Sequence, residues 1–107
     1  APTIREPDGL AMSSRNKYLD AAQRAQATIL SRAMARARSL LKGRTANAGT
    51  LKAELRRFIG AATLARLDYV EFFDPETLLP TVKVRRGTHM ALAVFFGKTR
   101  LIDNGSL

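Results

Sequence analysis

The chain has 107 residues, 46% of them apolar, no cysteine, and 18 Lys plus Arg against 9 Asp plus Glu, for a formal charge of +9 and a pI near 11.1. That length fits one domain, the apolar share excludes wholesale disorder, and the lack of cysteine excludes a disulfide scaffold and thiolate metal sites and fits a cytoplasmic protein. Apolar runs such as Met90 to Phe96 fall far short of the ~20 residues of a membrane helix, so no membrane partner is expected, and the positive charge instead favours polyanions or phosphate-bearing small molecules. No basic-then-apolar signal peptide opens the chain, and a start at Ala1-Pro2-Thr3 is compatible with excision from something longer.

Residues 1 to 19 have no sustained period and are punctuated by Pro2, Pro7 and the turn signal Asp8-Gly9. Asp20, three residues before Gln23, predicts a capping box at the head of a long helix. Along that helix Ala25, Ile29, Ala33, Ala37 and Leu40 form an apolar stripe with Leu30 and Leu41 at its edge, while Arg24, Ser31, Arg38 and Lys42 lie opposite. Gln26 and Arg36 interrupt the stripe and are expected to pack their stems while their heads reach water. Gly43 ends the helix as a left-handed cap. A second helix carries Leu51, Leu55, Phe58 and Ile59 at helical spacing, with Asn47 or Thr50 as its N-cap and Gly60 near its end. Leu67 to Phe73 reads as a strand closed by the turn Asp74-Pro75-Glu76-Thr77. Thr81 to Val84 is short and weakly extended. His89 to Phe96 turns through Gly97-Lys98 into Thr99 to Ile102 as a terminal hairpin. The expected fold is α+β: two helices packed on a small, about three-stranded antiparallel sheet.

A self-contained active site is not legible. His89 is the only histidine, so no two-histidine metal site exists, and no residue is expected to ligate a metal. The serines lack a nucleophile elbow. Gly97-Lys98-Thr99 has the end of a phosphate loop, but Leu92 stands where the motif needs glycine, and the tripeptide lies between strands. The arginines of the first helix, Arg24, Arg32, Arg36 and Arg38, are spread over more than one side and have no interleaved aromatic on which a base would stack.

The segment that invites a chemical reading is Ile4-Arg5-Glu6-Pro7-Asp8-Gly9-Leu10-Ala11-Met12-Ser13-Ser14-Arg15-Asn16. Ser13 and Ser14 offer hydroxyl donors, the loop offers backbone N–H groups, and Arg15 offers a planar cationic fork, together the ingredients of an anion cradle. The same letters also suit a helix-entry loop in which Ser14 or Asn16 caps one short turn.

The string from Arg5 to Leu19, REPDGLAMSSRNKYL, resembles the signature that joins the two domains of the pantothenate synthetase (pantoate–β-alanine ligase) family. Within it Met12-Ser13-Ser14-Arg15 resembles that family's version of the KMSKS loop of nucleotidylyltransferases and class I aminoacyl-tRNA synthetases. Leu67 to Glu71, Ala93 to Gly97 and Thr99 to Asn104 are similar to the first strand and closing hairpin of the family's C-terminal domain. The resemblance implies a KMSKS-like phosphate loop and domain-entry segment over residues 1–19, and a C-terminal α+β lid domain over 20–107. It implies a cytoplasmic, AMP-forming ligase on the route to coenzyme A precursors, which joins pantoate and β-alanine through a pantoyl adenylate using ATP with Mg2+ and no tightly bound cofactor. Ser13, Ser14 and Arg15 would then hold the β- and γ-phosphates, Met12 would contact the nucleotide, and Ile4 would meet the adenine edge through its backbone. The catalytic N-terminal nucleotide-binding domain would be the principal partner, leaving the isolated chain inactive and prone to self-association or segment swapping. Membrane and nucleic acid would not be partners. The alternative, a stand-alone basic nucleic-acid-binding module, rests on charge alone, and an aminoacyl-tRNA synthetase fragment shares the loop but not its surroundings.

Overall fold

The computed structural model describes residues 4–107, so Pro2 and the first residues of the expected loop lie outside it. Asp20 caps α1 (Ala21–Gln26) as the sequence predicts: its carboxylate accepts from the Gln23 N–H while the Gln23 side chain takes the Asp20 N–H. The predicted single long helix is broken, however. α1 stops and α2 (Ile29–Leu40) begins after a turn at Ala27-Thr28, where the Ala27 and Leu30 N–H groups bond three residues back, at 3.3 and 3.4 Å, instead of four. The tightened turn rotates the apolar face. Ala25 ends up exposed, and Ala27, Ile29, Leu30, Ala33, Met34, Ala37 and Leu41 form the buried stripe. Gly43 adopts the left-handed φ of 71° expected beyond the helix end.

The two interrupting polar residues find protein partners rather than water alone. Gln26 accepts from the Leu64 N–H and donates to Thr63, tying the turn after α3 to α1. Arg36 pairs with Glu54 of α3 at 3.0 Å. α3 (Ala48–Gly60) starts at Asn47, whose Oδ1 accepts from the Gly49 and Thr50 N–H groups. Asn47 also belongs to β1 (Ala46–Asn47), which pairs with β3 (Lys83–Val84) in a two-stranded ribbon that the sequence did not announce. Asn47→Ala removes the acceptor for both free amides and is expected to cost about 1 kcal/mol, read as a lower urea midpoint with an unchanged slope.

The main sheet is antiparallel in the order β2 (Ala65–Phe73), β4 (His89–Phe96), β5 (Thr99–Ser106). Asp74 closes β2 by accepting the Glu76 and Thr77 N–H groups, which holds its carboxyl below the usual range. A bulge between Leu67 and Tyr69 inserts Asp68 as an extra residue and shifts the alternation by one position. Leu67 on one side of it and Val70 and Phe72 on the other therefore reach the same core. In β4 Met90, Leu92, Val94 and Phe96 alternate into the core, and Ala93 between them is buried as well. The alternating side chains meet Leu30, Met34, Leu55 and Ile59 from the helices in one core. The α+β expectation holds, with the ribbon as an addition.

Candidate functional site

The segment before α1 is built as a folded-back loop. Arg5 and Ala11 form an antiparallel bridge, the Met12 N–H donates to the Ile4 carbonyl at 2.8 Å, and the Glu6 N–H donates to the Leu10 carbonyl at 2.7 Å. Gly9 turns the loop at φ 97°, where a Cβ would also lie 3.1 Å from the Ser31 hydroxyl. Both conditions favour glycine. Leu10 is buried in the core, and Asp8 is held by Arg24 of α1 at 2.7 and 3.1 Å. That guanidinium keeps the Asp8 carboxyl below its ordinary range.

Beyond this loop Ser14–Tyr18 forms a short 3-10 helix, and Ser13 is its cap, accepting from the Arg15 N–H at 3.1 Å. The helix-entry alternative is thus realised in part, with Ser13 rather than Ser14 or Asn16 in the capping role. It does not close the surface: Met12, Ser13, Ser14 and Arg15 are all exposed. As a hydroxyl, Ser13 still has its proton to donate while its oxygen accepts. The structure brings the predicted site residues into one stretch, with Ile4 beside Met12 through the backbone bond. The Ile4 carbonyl is occupied by that bond, and its side chain is exposed.

Arg15 reaches sideways to donate to the Arg100 carbonyl at 3.3 Å, and Tyr18, Lys98 and Thr99 complete a shallow basic depression around it. Arg100 is itself occupied by Asp68 at 2.9 Å and lies over the Tyr69 ring. Among the described residues no carboxylate pairs with Arg15 or Lys98, so both cations face this corner uncompensated. An uncompensated arginine, a lysine and two hydroxyls make a surface suited to phosphate oxygens. Asn16 supports it from beneath, donating to the Ala11 carbonyl at 3.1 Å, while its buried Oδ1 meets no donor.

Sequence reasoning missed what holds the loop. Arg5 makes a two-pronged pair with Asp103 of β5, Nη1 to Oδ2 at 2.6 Å and Nη2 to Oδ1 at 2.8 Å, and also donates to the Gly9 carbonyl. The bond to that carboxylate pushes the Arg5 guanidinium above its usual range. The available signal was parity: Asp103 stands in the row Leu101, Asp103, Gly105, Leu107, where alternation calls for an apolar side chain.

A second basic cavity lies at the far end of the fold, lined by Arg38, Lys42, Arg44, Arg85 and Arg86. Two of these arginines are committed to backbone: Arg38 donates twice to the Ser106 carbonyl, and Arg44 donates to the Leu40 carbonyl at 2.7 Å. They cap a helix end and a strand end, a structural use of cations near carbonyl termini. Among the described residues no helix is long and apolar enough to cross a membrane. No three of His, Asp and Glu converge as metal ligands there.

Fold and site together define a small α+β domain that carries an exposed basic loop tethered at one end of its sheet. The sequence matches the pantoate-beta-alanine ligase family over residues 1–106, and the chain belongs to that family. It is 49% identical over 106 residues to the pantothenate synthetase of Anaeromyxobacter dehalogenans, covering 99% of this chain and 36% of that one. Against the enzyme of Myxococcus xanthus it is 49% identical over 108 residues, covering 99% and 37%. The crystal structure of pantothenate synthetase from Thermus thermophilus superposes with a TM-score of 0.76 at 38% identity, over 98% of this chain and 38% of that one. The chain thus spans a little over a third of the length of these relatives.

Proposed function

We propose that this chain is the C-terminal lid domain of a pantothenate-forming ligase and grips the phosphates of ATP. In the proposed reaction a pantoate carboxylate oxygen attacks the α-phosphorus, the bond to the bridging oxygen breaks, and pyrophosphate departs, leaving pantoyl adenylate. The amine of β-alanine then attacks the acyl carbon, AMP leaves, and the amine proton passes to solvent. Ser13, Ser14 and Arg15 hold the β- and γ-phosphates and stabilise the negative charge that gathers on the departing pyrophosphate. Fixed donors aimed at developing charge supply most of the rate in such a site. Met12 lies against the nucleotide, and closure of the loop over ATP shields the reaction from water.

The observation that carries this reading is the exposed Ser13-Ser14-Arg15 stretch, free of carboxylate partners among the described residues and tethered on the sheet. It supplies one wall of a nucleotide site. The groups that hold pantoate and β-alanine belong to the N-terminal domain of the parent enzyme. Isothermal titration of ATP into the isolated chain should accordingly give binding weaker than micromolar, because most of the preorganised contacts are contributed elsewhere. Full-length parent enzyme titrated alongside should bind more tightly and release pyrophosphate when pantoate is added. Micromolar affinity in the isolated chain would contradict the one-wall assignment.

A further inference from the structure

We infer that Asp103, acting through Arg5, is a positioning residue for the phosphate loop; the inference rests on the reading just proposed. Asp103 occupies an inward slot of β5 with its side chain fully buried. A leucine there would continue the row begun by Leu101. Replacing a buried ion pair by apolar groups of similar volume is often neutral or stabilising, so stability alone gives a poor reason for a carboxylate in this slot. What the pair provides that leucine does not is direction.

Two parallel N–H···O bonds fix the plane of the Arg5 guanidinium. The Asn104 N–H, bonded to Asp103 Oδ1 at 2.8 Å, fixes the carboxylate in turn. From that anchor Arg5 bonds the Gly9 carbonyl, and its backbone is bridged to Ala11, so both legs of the loop take their position from β5. Ser13 follows two residues later. Arg15 closes the circuit on the carbonyl of Arg100, three residues before Asp103 on the same strand. The anion-binding stretch is therefore registered at both ends against one strand and moves with this domain. Displacements of about 1 Å in a reacting site can cost roughly a hundredfold in rate, so loss of this registration is expected to reach the chemistry.

The test is made in the full-length parent enzyme with the double variant Arg5→Met, Asp103→Leu. Its melting temperature should stay within a few degrees of the parent, while adenylate formation slows about tenfold or more and the KM for ATP rises. The KM for β-alanine should not change. An Ile59→Val control, which loosens the core away from the loop, should lower the melting temperature and leave the KM for ATP alone. If the double variant does not fold, Asp103→Asn carries the same comparison, because it keeps the shape and removes the charge. Parental ATP kinetics in the folded double variant, or in Asp103→Asn, would overturn the positioning role. Arg15→Ala assayed in parallel separates the two levels: if it too is fully active, the phosphate-loop reading itself has failed.

Discussion

Arg15→Ala in the full-length parent enzyme should slow adenylate formation by roughly a hundredfold to a thousandfold while leaving the fold unchanged. The magnitude is that of removing one fixed donor from a site of developing negative charge. Attack on the α-phosphorus transfers charge to the departing pyrophosphate, so the guanidinium gains more attraction in the transition state than in bound ATP. The effect should therefore fall mainly on kcat, with a smaller rise in the KM for ATP. Arg15→Lys keeps the charge but not the fork and should recover only part of the rate. Arg15 is exposed and pairs with no carboxylate among the described residues, and its side chain bonds only the Arg100 carbonyl there, at 3.3 Å. Melting temperature should move by no more than a degree or two. Single-turnover release of pyrophosphate is the proper measurement, since it isolates the first step from attack by β-alanine. A rate within threefold of the parent would remove Arg15 from the site.

Much of the fold was legible because local signals agreed with the tertiary demand. The Asp20–Gln23 box, the Asn47 cap, the Asp74 turn and the Gly97 hairpin each rest on bonds between neighbours in sequence, and these occur where the residues say. The break at Ala27-Thr28 was not legible. An alanine-rich run has no reason of its own to bend, and the bend arises because Gln26 is drawn to Thr63 and Leu64 while Ala27 is drawn into the core. β1 escaped notice for a similar reason. Two residues carry no period, and they become a strand only because Lys83 and Val84 lie alongside.

The candidate site divides along the same line. The chemistry proposed for Ser13, Ser14 and Arg15 was only half legible, since the same letters suit an anion cradle or a helix-entry loop, and Ser13 does cap the short helix. The loop's mounting was not legible, because Arg5 and Asp103 are 98 residues apart in sequence and nothing local links them. The parity of β5 did mark Asp103 as a charge in an apolar row, and a buried charge demands a partner. That demand, followed through, leads to Arg5 and from there to the loop.

Parity also sets the largest stability effect expected of a single substitution. Leu67 and Phe72 are an odd number of positions apart, so an unbroken strand would send them to opposite faces. The bulge at Asp68 places both on the helix-covered side, with Phe72 paired to Met90 and almost wholly buried. Phe72→Ala should then cost about 3–5 kcal/mol, the range for emptying a phenylalanine site in a packed core. Against a typical total of about 5–15 kcal/mol, such a loss leaves this domain close to unfolded. Phe73→Ala, one residue on, removes a ring that is only half-buried on the opposite face and should cost less than half as much. Urea unfolding of the two variants makes the comparison directly, since both remove the same atoms and differ only in the face they leave. Were Phe73→Ala the more damaging of the two, the bulge would be misplaced and the β2 register wrong by one residue. The inward row of β4, and with it the seat of β5 and Asp103, would then have to be rebuilt.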